Sequence, residues 1–265
     1  LQGLVGFVTG GASGLGRGTA EYFVSRGSRV ALIDLPASKG HEVAQGLGEN
    51  ALYIPCDVRN EDDVKNALER CKKEFGRLDL VVNCAGLSRA YKIANPPRGN
   101  YMGLEEFLIT YEGCVYGTFN VTRLAAPLMS ENEPNNDGQR GIIINTGSSS
   151  SEDGCIGQSA FAAAKAAVSA MTLPIAREFA SLGIRVVTIS PGLFDTPLTS
   201  EDCLTEKVQH YFMDQMLFPK RFGKPLEFAQ MIENIINNPM LNGEIIKLNG
   251  GLRFHVRAHS DFDEE

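Results

Sequence analysis

TGGASGLG, residues 9–16, connects the apolar run GLVGFVTG at residues 3–10 to a segment of helical periodicity at residues 15–26. Glycines at the second, sixth and eighth positions of the stretch let the chain turn sharply and let its backbone approach a pyrophosphate. The amino end of the following helix favours the negative charge of that group. In this strand–turn–helix setting we predict a nucleotide-binding loop, for which a tight turn without a ligand is the alternative. Its predicted cofactor contacts are Gly10, Ser13, Gly14, Leu15 and Gly16.

Short apolar runs alternate with helical patterns along the rest of the chain. Predicted helices cover residues 38–47, 61–75, 104–129 and 158–182, and the apolar runs are RVALID, ALYIPCD, LDLVVNCAG, GIIINTG, IRVVTISPG and GEIIKLNGG. Strands that are apolar at consecutive positions and separated by helices are typical of a parallel sheet covered on both faces. The sequence therefore predicts the α/β class and a single Rossmann-type, doubly wound domain.

The length of 265 residues fits one domain, which we assign to residues 1–256, followed by an acidic, solvated tail at 257–265. Two long connections, at residues 87–103 and 193–224, lie at the predicted carboxyl edge of the sheet. Ligands bind at this edge in open α/β sheets, so the second connection is a candidate substrate lid. Its apolar residues suit an acyl chain or a flat ring, or alternatively pack at a subunit interface; they are Phe194, Leu198, Tyr211, Phe212 and Met216.

The composition is that of an ordinary globular protein, with 43% hydrophobic and 22% charged residues. The formal net charge of −7 disfavours direct nucleic-acid binding, because neutralised phosphates supply most of that affinity. We expect no membrane span, since the apolar runs are short. The six cysteines and four histidines are scattered without a CxxC pair, so we expect no metal site and a reducing compartment.

Asp34 ends the second predicted strand, well beyond Gly16. A carboxylate at this place accepts hydrogen bonds from the ribose diol of NAD and repels the 2′-phosphate of NADP. Leu35 and Pro36 follow it, and no arginine is at hand to pair with such a phosphate. The sequence therefore predicts NAD(H) as the cofactor, with Asp34 and Leu35 among its contacts. A surface aspartate in a turn is the alternative.

These residues and three further motifs resemble those of the short-chain dehydrogenase/reductase family. NCAG at 83–86 is similar to the motif after the family's fourth strand, and CDV at 56–58 to its adenine-contacting Asp-Val pair. SPG at 190–192, followed by Thr196, resembles the segment that binds the nicotinamide carboxamide. By this resemblance, which extends over residues 3–253, the further cofactor contacts are Asp57, Val58, Cys84, Ala85, Gly86, Lys165, Gly192, Phe194 and Thr196.

Within the family, six stretches are most similar to enzymes of 3-hydroxyacyl-CoA thioesters and hydroxysteroids: TGGASGLG, DLP, FGRLDLVVNCAG, NEPNNDGQRGIIINT, MTLPIARE and PGLFDTPL. This resemblance implies a seven-stranded sheet with helices on both faces, a homotetramer, and hydride transfer between NAD and such substrates. It also implies a mitochondrial location, with a cytoplasmic one as the alternative. One member of that branch doubles as a subunit of the machinery that matures transfer RNA.

The family's catalytic set is an Asn, a Ser, a Tyr and a Lys, and the resemblance places each of them separately. Lys165 matches the Lys of the family's YxxxK motif, and Ser148 matches its Ser. Phe161 occupies the Tyr position, and aligning GTFNV at 117–121 puts Cys114 at the Asn position. Phe keeps the aromatic ring but cannot carry a proton, and general acid–base catalysis contributes about 10²–10⁴-fold in rate. We therefore predict that dehydrogenase activity is lost or strongly reduced.

Three roles are compatible with this pattern. The first is an NAD-binding structural or regulatory subunit, in a homotetramer or in a mixed tetramer with an active relative. The second is a working dehydrogenase with an unusual proton donor, for which Cys155 and Tyr116 fall near the site. The third, implied by the resemblance alone, is a subunit of transfer-RNA processing.

Overall fold

In the computed structural model, which describes residues 1–199 and 204–254, seven parallel strands form one sheet. The strands in chain order are β1 (Val5–Thr9), β2 (Arg29–Asp34), β3 (Ala51–Pro55), β4 (Leu80–Asn83), β5 (Ala94–Asn95), β6 (Asn100–Tyr101), β7 (Gly141–Thr146), β8 (Ile184–Pro191) and β9 (Ile245–Leu248). The sheet has the order β3-β2-β1-β4-β7-β8-β9, while β5 and β6 form a separate antiparallel hairpin. The predicted seven-stranded parallel sheet is thereby confirmed, and the predicted tail lies outside the described residues.

Helices cover both faces of the sheet. They are α1 (Gly14–Ser25), α2 (Gly40–Leu47), α3 (Glu61–Phe75), α4 (Leu104–Tyr111), α5 (Gly117–Ser130), α6 (Ser159–Phe179), α7 (Glu206–Asp214) and α8 (Pro225–Asn237). Side chains of α3, α5 and α6 pack on one face, and those of α1, α2 and α8 on the other. Successive strand residues point to opposite faces of the sheet. Ile143 therefore packs in the core with α3, α5 and α6, whereas its neighbours Ile142 and Ile144 pack in the core with α1, α2 and α8. This two-sided burial explains the continuous apolar runs.

Three features differ from the sequence prediction. The helix expected at 104–129 is divided by a π-helical turn, Glu112–Tyr116, between α4 and α5. The connection 87–103 contains the β5–β6 hairpin. Helices α7 and α8 were not predicted, although the buried residues Phe228, Ile232 and Ile235 of α8 recur at helical spacing.

One helix runs counter to the expectation that no segment suits a membrane. The stretch Ser159–Leu182 is long and apolar enough to cross a bilayer by length and composition. Within its most apolar window, 44% is buried inside the fold, and α6 packs along β7 and β8. Core helices of folded domains meet the same criterion, so the match is weak support for a span.

Arg185, on β8, is a buried cation that closes the carboxyl end of α8. Its side chain is 6% exposed, and its guanidinium donates to the Gln139 side chain and to carbonyl oxygens of Ile235, Ile236, Asn238 and Leu241 at 2.8–3.1 Å. The last carbonyl groups of a helix have no partner within the helix, and a cation there interacts favourably with the helix dipole. Burial lowers the pKa of Arg185, but an arginine stays charged at neutral pH.

We expect Arg185→Leu to lower the free energy of unfolding by about 3 kcal/mol, because buried carbonyl oxygens lose charged donors. Urea denaturation followed by circular dichroism measures this change. Arg26→Leu is the control, since Arg26 is exposed and its contact to Glu233 is long, at 3.4 Å; its effect is expected below about 1 kcal/mol. Similar losses in both variants would contradict the assigned role of Arg185.

Candidate functional site

The glycine loop between β1 and α1 packs against the NCAG turn that follows β4. Gly10 has φ +64°, and a Cβ on it would lie 3.0 Å from the amide nitrogen of Ala85 and from the carbonyl carbon of Cys84. Thr9 fixes the same approach, because its Oγ1 accepts a hydrogen bond from the Ala85 N–H at 3.0 Å. A Cβ on Gly16 would overlap the carbonyl oxygen of Gly10. The structure thus brings two predicted cofactor segments together.

Asp34 ends β2 with its carboxylate held in place by two backbone donors. Its Oδ2 accepts from the Ala12 N–H of the glycine loop at 2.9 Å, and its Oδ1 accepts from the Leu35 N–H at 2.8 Å. A carboxylate has about four acceptor positions, so both oxygens still have lone pairs for the hydroxyl groups of a ribose. The predicted diol-binding residue is therefore oriented beside the loop.

Asp57 and Val58 follow β3, where each contacts a residue that the sequence reading missed. Arg59 donates to the Asp57 carboxylate from Nε at 3.0 Å and from Nη2 at 2.6 Å. These bonds hold the pKa of Asp57 below its usual range, so this side chain is charged at neutral pH. Asn120 of α5 donates from Nδ2 to the carbonyl oxygen of Val58 at 2.8 Å. The spacing of Arg59 two positions after an aspartate was the sequence signal from which this ion pair could have been predicted.

Ser148 lies just past the carboxyl end of β7 and is buried, with 9% of its surface exposed. It caps the short 3₁₀ turn Ser149–Ser151, and its Oγ accepts a hydrogen bond from the Ser150 N–H at 3.1 Å. A hydroxyl group that accepts one bond keeps its own proton for donation. The Ser148 O–H is therefore suited to donate to an oxygen of a ligand.

Lys165 is the buried cation of the site, with 7% of its surface exposed. Its Nζ donates to the carbonyl oxygen of Thr146, at the end of β7, at 2.8 Å. The same nitrogen lies 5.7 Å from the centroid of the Phe161 ring, one helical turn earlier on α6. This separation is within the range of a cation–π contact. Phe161 therefore presents an aromatic ring, without a hydroxyl, to the ammonium group.

Cys114 is fully buried beside Lys165 and Phe161. It forms a small apolar cluster with Val115, Ala164 and Val168, and Phe161 packs against this cluster. Its thiol donates to the carbonyl oxygen of Leu87 at 3.4 Å. The position of a Cβ on Gly86 would lie 3.2 Å from the Cys114 sulfur and 3.7 Å from the Lys165 Nζ. The structure thus brings three of the four predicted catalytic positions together at the NCAG turn.

The π-helical turn Glu112–Tyr116 carries Cys114. Such turns insert one residue into a helix and are frequent at functional sites. The extra residue changes the phase between α4 and α5, which the periodicity of the sequence did not show. Cys114 points inward and is fully buried, whereas Tyr116 is 48% exposed.

The two proposed substitute acids have different surroundings. Tyr116 lies half-exposed at the end of the π-helical turn. Burial raises the pKa of Cys155, and that of Cys84 in the NCAG turn rises to about 11. Both thiols are therefore protonated at neutral pH.

The segment after β8 approaches the glycine loop from the other side. A Cβ on Gly14 would lie 3.4 Å from the Cβ of Thr196, whose N–H donates to the Thr199 hydroxyl at 3.1 Å. Phe194 differs from its predicted role as a lid residue, because its ring packs edge-on against Phe228 in the core at a centroid distance of 6.3 Å. Phe194 would therefore contact a bound cofactor through its backbone and not through its ring.

The other predicted lid residues differ in how far their side chains are buried. Phe212 and Met216 are buried, and Leu198 is 53% exposed. Residues 200–203 of this segment lie outside the described part of the chain.

A cavity of ≈ 280 Å³ adjoins the amino end of α6. Its lining includes Tyr91, Lys92, Arg98, Tyr101 and Ile156. The hairpin segment is attached there, since the Tyr91 N–H donates to the carbonyl oxygen of Gly157 at 2.8 Å. This cavity was not predicted, because it depends on how the 87–103 connection folds back.

A family model described as short chain dehydrogenase matches residues 5–207, and the chain belongs to that family. It is similar to 3-hydroxyacyl-CoA dehydrogenase type-2 of Drosophila melanogaster, with 51% identity over 253 residues that cover 96% of this chain and 98% of that protein. The Homo sapiens protein of the same name is 49% identical and is covered to 96%, as is this chain.

A solved structure of 3-hydroxyacyl-CoA dehydrogenase type-2 from Mycobacterium avium matches the fold with a TM-score of 0.88. The two sequences are 37% identical, and the match covers 96% of this chain and 98% of that one. The resemblance and the fold predicted from the sequence are thereby confirmed. The roles assigned to single residues stay predictions.

We expect Gly16→Ala to destabilise the protein by about 1–3 kcal/mol, because the added methyl group would overlap backbone that cannot move without opening the loop. Gly46→Ala is the control, since nothing lies within 4 Å of a Cβ there and an alanine suits the α2 helix. Thermal denaturation of both variants checks this expectation. If Gly16→Ala had the same melting temperature as the parent protein, the loop would have room for the added methyl group, and the expectation would be wrong.

Proposed function

We propose that this protein binds NAD(H) together with an acyl-CoA or steroid ligand, that its hydride-transfer turnover is lost or strongly reduced, and that it serves a binding or scaffold role. One observation carries this proposal. A phenylalanine ring faces the buried Lys165 ammonium at the position where the family resemblance expects the proton-carrying tyrosine.

The glycine loop and Asp34 support NAD(H) as the cofactor. Gly14 and Gly16, at the amino end of α1, have no side chain of their own, so the backbone N–H groups there suit a pyrophosphate. The oriented Asp34 carboxylate suits a ribose diol and disfavours a 2′-phosphate. When bound, NAD supplies the hydride acceptor of this family's chemistry.

The residues at the predicted catalytic positions are poorly suited to proton transfer. Oxidation of an alcohol releases a hydride from carbon and a proton from oxygen, so a base must lie at the oxygen. Phe161 has no ionisable atom, and the Cys114 thiol donates to the Leu87 carbonyl. Ser148 and Lys165 still offer donors to the oxygen and to a ribose, respectively. Loss of general acid–base catalysis lowers the rate about 10²–10⁴-fold, or roughly 3–5 kcal/mol in barrier.

The cavity beside the hairpin supports an acyl-CoA ligand. Lys92 and Arg98 line it together with the rings of Tyr91 and Tyr101. Cationic side chains pair with phosphate groups, and aromatic faces stack on nucleobases. The 3-hydroxyacyl-CoA in the relatives' names carries both kinds of group.

An exposed apolar face supports assembly into a homotetramer or a mixed tetramer with a related subunit. Leu104 is 74% exposed, and Leu108, Tyr111 and Phe119 follow it on α4 and α5 with 39–48% exposure. Several large apolar side chains exposed on neighbouring turns of a helix are typical of an interaction site. A mitochondrial location and a part in transfer-RNA maturation stay predictions.

We expect the parent protein to oxidise NADH with acetoacetyl-CoA at or near background, and Phe161→Tyr to raise the rate by two orders of magnitude or more. The double variant Phe161→Tyr/Cys114→Asn is expected to be faster still, because an amide offers both a donor and an acceptor for a water-mediated relay. Absorbance at 340 nm measures the rates, and thermal shift with NADH confirms binding in each variant.

Phe161→Leu is the matched control, since it changes the same side chain without adding a hydroxyl, and we expect it to stay at background. A parent protein that turns over well would contradict the proposed loss of activity. Ser148, Cys155 and Tyr116 would then be the residues to substitute. NADH binding without turnover in any variant would direct the search to steroid ligands.

We expect Asp34→Ala to weaken NADH binding about tenfold, since a charge-assisted hydrogen bond to the ribose is lost, and to weaken NADPH binding less. Isothermal titration calorimetry with both cofactors measures this preference. Asp137→Ala removes the same charge from an exposed loop before β7 and is expected to change neither affinity. Equal losses for both cofactors in Asp34→Ala would argue against contact with the diol.

A further inference from the structure

Asn249, directly after β9, lies at the same edge of the sheet as the candidate site. Strand β9 pairs in parallel with β8, so Asn249 emerges beside Gly192, which follows β8. A Cβ on Gly192 would lie 2.9 Å from the Cβ of Asn249 and 3.0 Å from its Cα. The Gly192 N–H also donates to the carbonyl oxygen of Leu248 at 3.0 Å. The two chain segments therefore touch at the level of the backbone.

The side chain of Asn249 engages both ends of its amide group. Its Oδ1 accepts a hydrogen bond from the Gly251 N–H at 3.1 Å, which holds the turn after β9. Its Nδ2 donates to the Oγ of Ser149 at 3.0 Å. Ser149 is buried, with 8% of its surface exposed, and directly follows Ser148. One amide thus joins the turn after β9 to the turn that Ser148 caps.

Two more contacts attach the same serine turn to the C-terminal segment. The Phe254 N–H donates to the Asp153 carboxylate at 2.8 Å, and Lys247 forms an ion pair with Glu152. The ion pair is half-exposed, so it contributes little. Of the three contacts, the bond to Ser149 is the one beside Ser148 in sequence.

We propose that Asn249 is a positioning residue of the site, which holds the Ser148 hydroxyl in place by bonding the Ser149 side chain. Because Phe161 offers no hydroxyl, Ser148 is the neutral donor left for a ligand oxygen among the predicted catalytic positions. A rotation of its turn would remove that donor. The inference rests on the proposed function in one respect, namely that Ser148 binds a ligand oxygen.

Hydrogen–deuterium exchange of the free protein tests the positioning without any ligand. Asn249→Leu removes the donor, and we expect about tenfold faster exchange in residues 147–153, with α3 unchanged. Asn249→Asp is expected to restore protection, since a carboxylate accepts from the Ser149 hydroxyl and from the Gly251 N–H. Ser149→Ala breaks the same bond from its other end and is expected to match Asn249→Leu. Unchanged exchange in both disrupting variants would overturn the inference.

Acetoacetyl-CoA binding to the NADH complex tests the consequence for ligands. We expect Asn249→Leu to weaken this binding about tenfold and Asn249→Asp to leave it near the parent value. A purely structural role would lower the melting temperature of Asn249→Leu without changing that affinity, and this result would overturn the inference. If the parent binds neither NADH nor acetoacetyl-CoA, the proposed function fails, and the exchange measurement alone decides the role of Asn249.

Discussion

A parallel sheet covered by helices on both faces leaves no solvent-accessible surface along its central strands, and this constraint places the candidate site. Strands β1, β4, β7 and β8 are buried at every residue. The polar chemistry therefore collects where the strands end, at Asp34, at the NCAG turn, at Ser148 and at Gly192. The Thr9–Ala85 hydrogen bond and the close approach of Gly10 then hold the end of β1 against the NCAG turn after β4.

Two of the predicted catalytic positions, Cys114 and Phe161, form one packing unit. Cys114 and Phe161 belong to the same apolar cluster, and both lie beside Lys165. An aromatic ring without a hydroxyl and a small thiol leave few polar groups unpartnered there, since the thiol bonds to Leu87 and the ammonium to Thr146. Under the proposed function, this pocket holds a ligand but lacks a group that would relay a proton.

Helix α3 shows which features of a helix the local sequence predicts. It covers Glu61–Phe75, as predicted, because local signals mark both of its ends. Asn60 accepts from the N–H groups of Asp62 and Asp63, three acidic residues begin the helix, and Gly76 ends it in the left-handed region. The π-helical turn has no such local marker. The π-helical turn depends on how α4, α5 and α6 pack around Cys114. Because the periodicity of the sequence does not report this packing, it predicted one continuous helix.

Patterns in the sequence predicted the doubly wound fold, the glycine loop, the place of Asp34 and the family, because each depends on residue types at short spacing within single strands, turns and helices. Only the tertiary structure decided which distant side chains meet. The burial of the Phe194 ring, the hairpin cavity and the Asn249–Ser149 bond all belong here. The last bond joins residues 100 positions apart. Such contacts depend on strand order and loop packing, to which no local pattern of residues is sensitive.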